Sequence, residues 1–313
     1  MLFSKVAAPL AGAGTPGVWL GGRRLIAIDG TCLDVADTPE NSAFFGRPGV
    51  AKGEQAAFPQ ARVVAVAECG THAIIDAAVG TYTTPQNTLA RQVIDRLKPG
   101  TLLLADRGLC GFPLWSRAFA TGADLLCRAN SNMKPRFIET LADGSWLAEL
   151  RPSGNAGRKA EPLTIRVIDY RIDDGRHNDE SYRLFTTILD PNDVTALDLA
   201  AAYSQRWEIE STFDELKTHQ RGPRTVLRSK SPDLVLQEIW GHLCCHYAIR
   251  TLMWEAADHA GVDPDRVSFV AALRIARRSI SVARDFPPQA SDHGWRHAIA
   301  QWCSGLTPRL IER

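Results

Sequence analysis

Between residues 203 and 217 the sequence reads Y-S-Q-R-W-E-I-E-S-T-F-D-E-L-K. At about 100° per residue, Tyr203, Arg206, Glu210 and Lys217 fall within an arc of roughly 60° on one side of a helix. Ala202, Ile209, Phe213 and Leu216 form a separate apolar face, and Glu208, Thr212 and Glu215 are expected to point away from both. A carboxylate flanked by a guanidinium, an ammonium and a phenol can hold a hard cation and the oxygens of a phosphate. The same pattern describes an amphipathic surface helix with a charged edge, so the chemistry has to be decided by other residues. Two further carboxylates stand out. Asp29 ends the apolar run R-L-I-A-I, and Asp106 ends T-L-L-L-A. Carboxylates at the C-terminal ends of adjacent strands, with a third from a packed helix, can converge on one or two Mg²⁺-like cations, an oxygen-only arrangement suited to phosphoryl transfer. Asp214, about 40° from Glu210 on the helix, is the rival third ligand.

The elements that must position these residues follow from periodicity. Apolar runs at 24–28, 61–68, 72–79, 101–105 and 124–128 read as strands, the second and third joined as a hairpin by C-G-T. Amphipathic stretches from Thr84-Pro85 to Leu97 and from Phe112 to Ala120 read as helices. Strand, hairpin, helix, strand, helix, strand is an α/β order with a mixed sheet. No G-x-G-x-x-G or G-K-[ST] loop follows a strand, which argues against dinucleotide or P-loop chemistry. Residues 1–22, rich in Gly and Pro, read as an irregular lead-in, and 32–60 as loop. Residues 23–129 form the first part of the core. Residues 130–192, with β-type runs at 136–139, 146–150, 162–170 and 182–189, read as a β-rich insertion. Residues 193–313 complete the core with one long helix at 197–219 and further helices at 232–257 and 268–283.

Composition excludes little. Apolar content of 45% and charged content of 23% are those of a globular domain, and the formal net charge of +1 means that a DNA-binding surface would have to be local. Such a patch exists: Lys217, Arg221, Arg224, Arg228 and Lys230 occur with no acidic residue among them. The seven scattered cysteines, with no C-x-x-C pair, read as free thiols of a reducing cytosol. His242 and His246 in H-L-C-C-H have zinc-compatible spacing but lie in an apolar helical pattern, where packing is the better reading. No apolar run approaches a membrane span.

The spacing Y-(2)-R-(3)-E-(6)-K at Tyr203, Arg206, Glu210 and Lys217 resembles the signature of the DDE transposases of the insertion sequence 4 family. The contexts I-D-G-T at Asp29 and L-A-D-R-G at Asp106 resemble that family's two catalytic aspartate motifs. The resemblance covers about residues 24–250. It implies an RNase H-like α/β core with a β-rich insertion and C-terminal helices, and metal-dependent cleavage at transposon ends with joining to target DNA. It makes Asp29, Asp106 and Glu210 ligands of two Mg²⁺ or Mn²⁺ ions, and Tyr203, Arg206 and Lys217 holders of phosphate. Double-stranded DNA is the implied partner, a homodimer the implied assembly on it, and the cytoplasmic nucleoid the implied location. Around this site, Trp207 is a candidate for base stacking. Arg107, Arg128 and Lys134 could line the DNA path, and Arg221, Arg224, Arg228 and Lys230 are candidates for backbone contact. Family members carry an N-terminal helical domain, for which a first strand near residue 24 leaves no room, so an N-terminally truncated member is expected. The alternatives are an inactive fragment that binds DNA or dimerises, and a general metal-dependent nuclease.

Overall fold

The computed structural model describes residues 2–49, 56–130, 132–152, 161–171 and 181–282. Cys303 and the C-terminal 30 residues, expected to be mixed in structure, lie outside them.

The strongest apolar runs form the centre of one mixed sheet. Strands β1 (Trp19–Leu20), β2 (Arg23–Asp34), β3 (Gln60–Glu68), β4 (Ile74–Thr81), β5 (Thr101–Ala105) and β6 (Asp124–Arg128) are followed by β7 (Arg136–Thr140), β8 (Trp146–Leu150), β9 (Leu163–Arg171) and β10 (Ser181–Thr186). The order across the sheet is β4-β3-β2-β5-β6-β10-β9-β8-β7, with β1 paired to β2. β2 runs antiparallel to β3 and parallel to β5, β3 antiparallel to β4, and β5 parallel to β6. The first five core strands therefore have RNase H-like connectivity. The strands of the expected insertion extend the same sheet through the antiparallel β6–β10 pair.

Residues along β2 and β5 alternate between two cores, as period-2 geometry requires. Leu25, Ala27, Leu102 and Leu104 pack under α5 (Ala196–Ser204), α6 (Glu208–Asp214) and α7 (Pro232–Ala260). Ile26, Ile28, Leu103 and Ala105 pack under α3 (Gln86–Ile94) and α4 (Phe112–Phe119). Both faces are covered, which explains why these strands read as continuous apolar runs.

Four expectations are corrected. β2 does not end at Asp29 but continues to Asp34, paired throughout with β3, so Asp29 sits in mid-strand at the point where the pairing with β5 stops. The stretch expected as loop contains the end of β2 and helix α2 (Pro39–Phe45), capped by the Thr38 hydroxyl accepting from Asn41 N–H. The lead-in is packed: α1 (Phe3–Val6) buries Phe3 against Trp240, ring centroids 5.6 Å apart. The buried Glu68 carboxylate accepts from the backbone N–H groups of Leu10 and Ala11 at 2.9 and 3.0 Å. Finally, the long central helix is interrupted. A 3₁₀ turn at Gln205–Trp207 separates α5 from α6, and a π-helical turn at Glu215–Gln220 follows α6.

Candidate active site

Strand register brings the two aspartates together. β2 and β5 pair in parallel up to Ile28 opposite Ala105, so Asp29 and Asp106 follow side by side, one residue on. By alternation both face the side covered by α5 and α6. Asp29 Oδ1 accepts from Gly30 N–H at 2.7 Å and lies 3.5 Å from the Gln86 amide. Asp106 Oδ1 accepts from Leu109 N–H at 3.1 Å, closing the turn after β5. Burial pushes the Asp29 carboxyl above the usual carboxylate range, against the Gly30 N–H, and the charges of Asp106 and Glu210 push it further than Arg206 pulls it back. Mutual repulsion of that kind is what a divalent cation would relieve.

Glu210 approaches from α6 and is paired with Arg206 at 2.9 Å; the same guanidinium lies 3.9 Å from Asp29. Arg206 is buried and thus bridges two of the three carboxylates, while Lys217 Nζ donates to Thr31 Oγ1 on β2 at 3.0 Å. Tyr203 is also buried, its hydroxyl donating to the Ala105 carbonyl at 3.2 Å, and burial pushes its phenol far up. The four signature residues thus gather where the β2–β5 pairing stops. Asp214, the rival ligand, is exposed and accepts from Thr218 at 2.6 Å.

The outer candidates divide. Trp207 is 60% exposed, with the Arg206 guanidinium 4.6 Å from its ring centre, so it is not core packing. Arg107 is exposed beside Asp106 and lines, with Arg128, Asn130 and Arg183, a cleft of about 300 Å³. Lys134, Arg224, Arg228 and Lys230 are exposed. Arg221 is turned inward instead: it donates to the Thr225 carbonyl at 2.6 Å, and desolvation lowers its guanidinium pKa. It braces the basic loop and does not present its charge outward.

Sequence reasoning missed a second polar cluster, and here the expected outward direction of Glu208, Thr212 and Glu215 is overturned. Thr212 is fully buried and Glu215 nearly so. Helix α6 packs on the sheet and the π turn after it on α7, leaving Glu210, Ser211 and Asp214 of α6 exposed beside Ser204 and Trp207. Glu208 accepts from Gly70 N–H in the β3–β4 turn and lies 3.5 Å from His72 Nε2, which is 3.1 Å from Asp265. Among the described residues, this is the one group of three such ligands whose atoms all lie within 4.8 Å. It does not fit a metal. Arg250 Nη2 lies 2.9 Å from His72 Nδ1, and because arginine only donates, Nδ1 accepts and the proton sits on Nε2, which then has no lone pair for a cation. That Nε2–H points between the carboxylates without a straight bond to either. On α7, Arg250 also pairs with Glu215, as does His246 at 3.1 Å. The available signal was a His and an Arg, four residues apart, on the buried stripe of α7; buried polar groups require partners. His242 is only half-buried and pairs with Glu238, so the two histidines of H-L-C-C-H do not converge.

The cluster has a pH signature. Burial pushes Glu208 up to about 7, against the pull of His72 and the Gly70 N–H. A raised carboxyl contributes stability below its unfolded value, which is lost as pH rises through about 7. Burial lowers His246 despite Glu215, so its contribution is present at high pH and lost as pH falls through the unfolded value of about 6.5. Relative to wild type, Glu208→Gln is expected to gain stability from about pH 5 to 7 and His246→Phe as pH falls below about 6.5, each by up to about 1.4 kcal/mol per pH unit. Thermal melts across pH 5–8 check both slopes.

The sheet has RNase H-like connectivity, with Asp29 and Asp106 side by side where the β2–β5 pairing stops and Glu210 linked to Asp29 through Arg206. A family model described as "Transposase DDE domain" matches residues 20–248, and the chain belongs to that DDE transposase family. It is 32% identical over 271 residues to the transposase InsG for insertion sequence element IS4 of Escherichia coli K12, covering 85% of this chain and 61% of that protein. The chain therefore spans about three fifths of the length of this relative. The putative transposase InsZ of the same organism is 28% identical over 86 residues, 28% of this chain and 29% of that one. Among solved structures, the cryo-EM synaptic complex of piggyBac transposase with hairpin DNA is similar over 92% of this chain and 57% of that chain, at 10% identity and a TM-score of 0.47. No helix among the described residues is long and apolar enough to cross a membrane.

Proposed function

We propose that the chain is a transposase catalytic core that cuts DNA strands at transposon ends and joins them to target DNA with Mg²⁺ or Mn²⁺. The observation that carries this reading is the adjacency of Asp29 and Asp106 at the end of the β2–β5 pairing, under a helix bearing Glu210. All three offer oxygen ligands, which suit these ions, and the like-charge strain on Asp29 gives the site a reason to take a cation. When bound, two such ions would supply an activated water or 3′-hydroxyl and stabilise the leaving oxygen.

The protein's own residues do the rest. Arg206, within reach of both Asp29 and Glu210, neutralises them and offers a planar fork to the scissile phosphate. Lys217 adds a point charge beside β2, and Tyr203 supports the carbonyl preceding Asp106. Exposed Arg107, Arg224, Arg228 and Lys230 are placed to follow the DNA backbone, Trp207 to stack on a base, and a homodimer on DNA would bring two ends together.

The test is incubation of the purified chain with blunt or nicked DNA ends, with and without Mn²⁺. Metal-dependent cut or joined product is expected. DNA binding without product would favour the inactive, DNA-binding fragment. Cleavage that persists undiminished in a Tyr203, Arg206 and Lys217 triple alanine variant would favour a general nuclease.

A further inference from the structure

Glu210 is weakly constrained where it stands. Its side chain is 44% exposed and its one ion-pair partner among the described residues is Arg206, another residue of the site. The apolar contacts of Ile209, Phe213 and Leu216 hold the helix on the sheet and choose its buried face, but a stripe without directional bonds sets the fine rotation about the helix axis only loosely. Even a partial rotation about the axis would swing the Glu210 carboxylate relative to Asp29.

On the other side of the helix, directional contacts bracket Glu210. Two residues before it, Glu208 is held by the Gly70 N–H. Five residues after it, Glu215 accepts from Arg250 Nε at 2.9 Å and from Arg250 Nη2, and meets His246 Nε2 at 3.1 Å. The two anchors are joined, because Arg250 also reaches His72, which lies beside Glu208. His72 occupies the left-handed region at φ 54°, an uncommon conformation for a non-glycine residue that is retained where the surroundings demand it. The π-helical turn starts at Glu215, so the anchor lies where the helix departs from regular geometry and two residues before Lys217 turns to Thr31. Arg250 pulls the Glu215 carboxyl below the usual range although burial works in the opposite direction.

We propose that Glu215 and Arg250 are positioning residues for the metal site: their buried ion pair, linked through His72 to Glu208, fixes the rotation of the helix that presents Glu210 and Lys217. This rests on the transposase reading above. A buried ion pair adds little stability over an apolar pair of similar volume, so orientation is what its directional bonds contribute.

The experiment compares wild type with the double variant Glu215→Met/Arg250→Met and with Arg250→Lys. Free Mn²⁺ is counted by electron paramagnetic resonance during titration, alongside melting temperature and strand cleavage. The double variant is expected to melt cooperatively, near wild type, yet to need tenfold or more Mn²⁺ for half-saturation, with turnover falling by tenfold or more. Arg250→Lys keeps the charge but loses the fork, and is expected to shift Mn²⁺ half-saturation several-fold. It keeps the test decisive if the double variant does not fold. A purely structural pair would move the melting temperature and leave Mn²⁺ half-saturation in place. Unchanged half-saturation in Arg250→Lys, or in a folded double variant, overturns the inference while leaving the transposase reading intact. A wild-type chain that binds no Mn²⁺ and cuts no DNA overturns both.

Discussion

Asp29→Asn and Asp106→Asn are each expected to lower metal-dependent strand cleavage by about three orders of magnitude, some 4 kcal/mol at about 1.4 kcal/mol per tenfold. The amide keeps the shape and one oxygen but removes the charge that would hold a hard cation against water. Stability should move the other way, or not at all. Burial pushes the Asp29 carboxyl up, as do the neighbouring charges of Asp106 and Glu210, so its ionised form is disfavoured by the fold at neutral pH. Removing that charge relieves the strain, the usual relation between a functional site and stability. Glu210→Gln should lose activity similarly and free Arg206 from its ion pair. Cleavage rate and melting temperature measured on the same preparations check this. An active Asp106→Asn would show that the paired aspartates are not the catalytic centre, and an inactive variant that fails to melt cooperatively would point to misfolding as the cause.

Arg166→Met is expected to cost about 2–4 kcal/mol of stability, because a fully buried guanidinium is lost together with its hydrogen bonds while Asp143, its partly exposed carboxylate, remains. Arg166 on β9 is fully buried. Its Nε donates to Ser145 Oγ at 2.8 Å, its Nη1 to the Val194 carbonyl at 2.8 Å, and its Nη2 pairs with Asp143. Asp143 in turn accepts from Ala196 N–H at 2.8 Å, at the start of α5. One side chain therefore ties the β7–β8 turn and β9 to the segment entering the helices that carry Tyr203 and Glu210. Methionine would leave Asp143 without its cation and the Val194 carbonyl without its donor. At roughly 2–4 °C per kcal/mol for a chain of this size, the melting temperature should fall by on the order of 10 °C. A change of less than about 2 °C would mean that the site relaxes or admits water.

The sheet was legible because its central strands are buried on both faces and read as unbroken apolar runs, as R-L-I-A-I and T-L-L-L-A do. Two strand aspartates and a helix carboxylate at a known spacing were enough to nominate the site, and the parallel register of β2 and β5 explains why Asp29 and Asp106 meet. What escaped came from tertiary context. A single angle of 100° per residue cannot register a 3₁₀ turn or a π turn, and it says nothing about what lies beyond the helix. Glu208, Thr212 and Glu215 therefore read as solvent-facing, although α7 and the β3–β4 turn cover them. Nothing in T-I-R-V-I-D marks Arg166 as buried, because the acceptors that justify its burial lie more than twenty residues away on either side of the sequence. Arg221 belonged by composition to a basic patch, and only its contact with Thr225 shows that it braces the loop.

The most direct measurement is the position of Mn²⁺ in crystals of the chain, located by anomalous scattering. The expected peak lies between Asp29 and Asp106, with the Glu210 carboxylate turned from Arg206 toward it. A peak at His72, Glu208 and Asp265, with none beside the strand aspartates, would contradict both the assignment of the catalytic centre and the proton placement that excludes a metal from the second cluster.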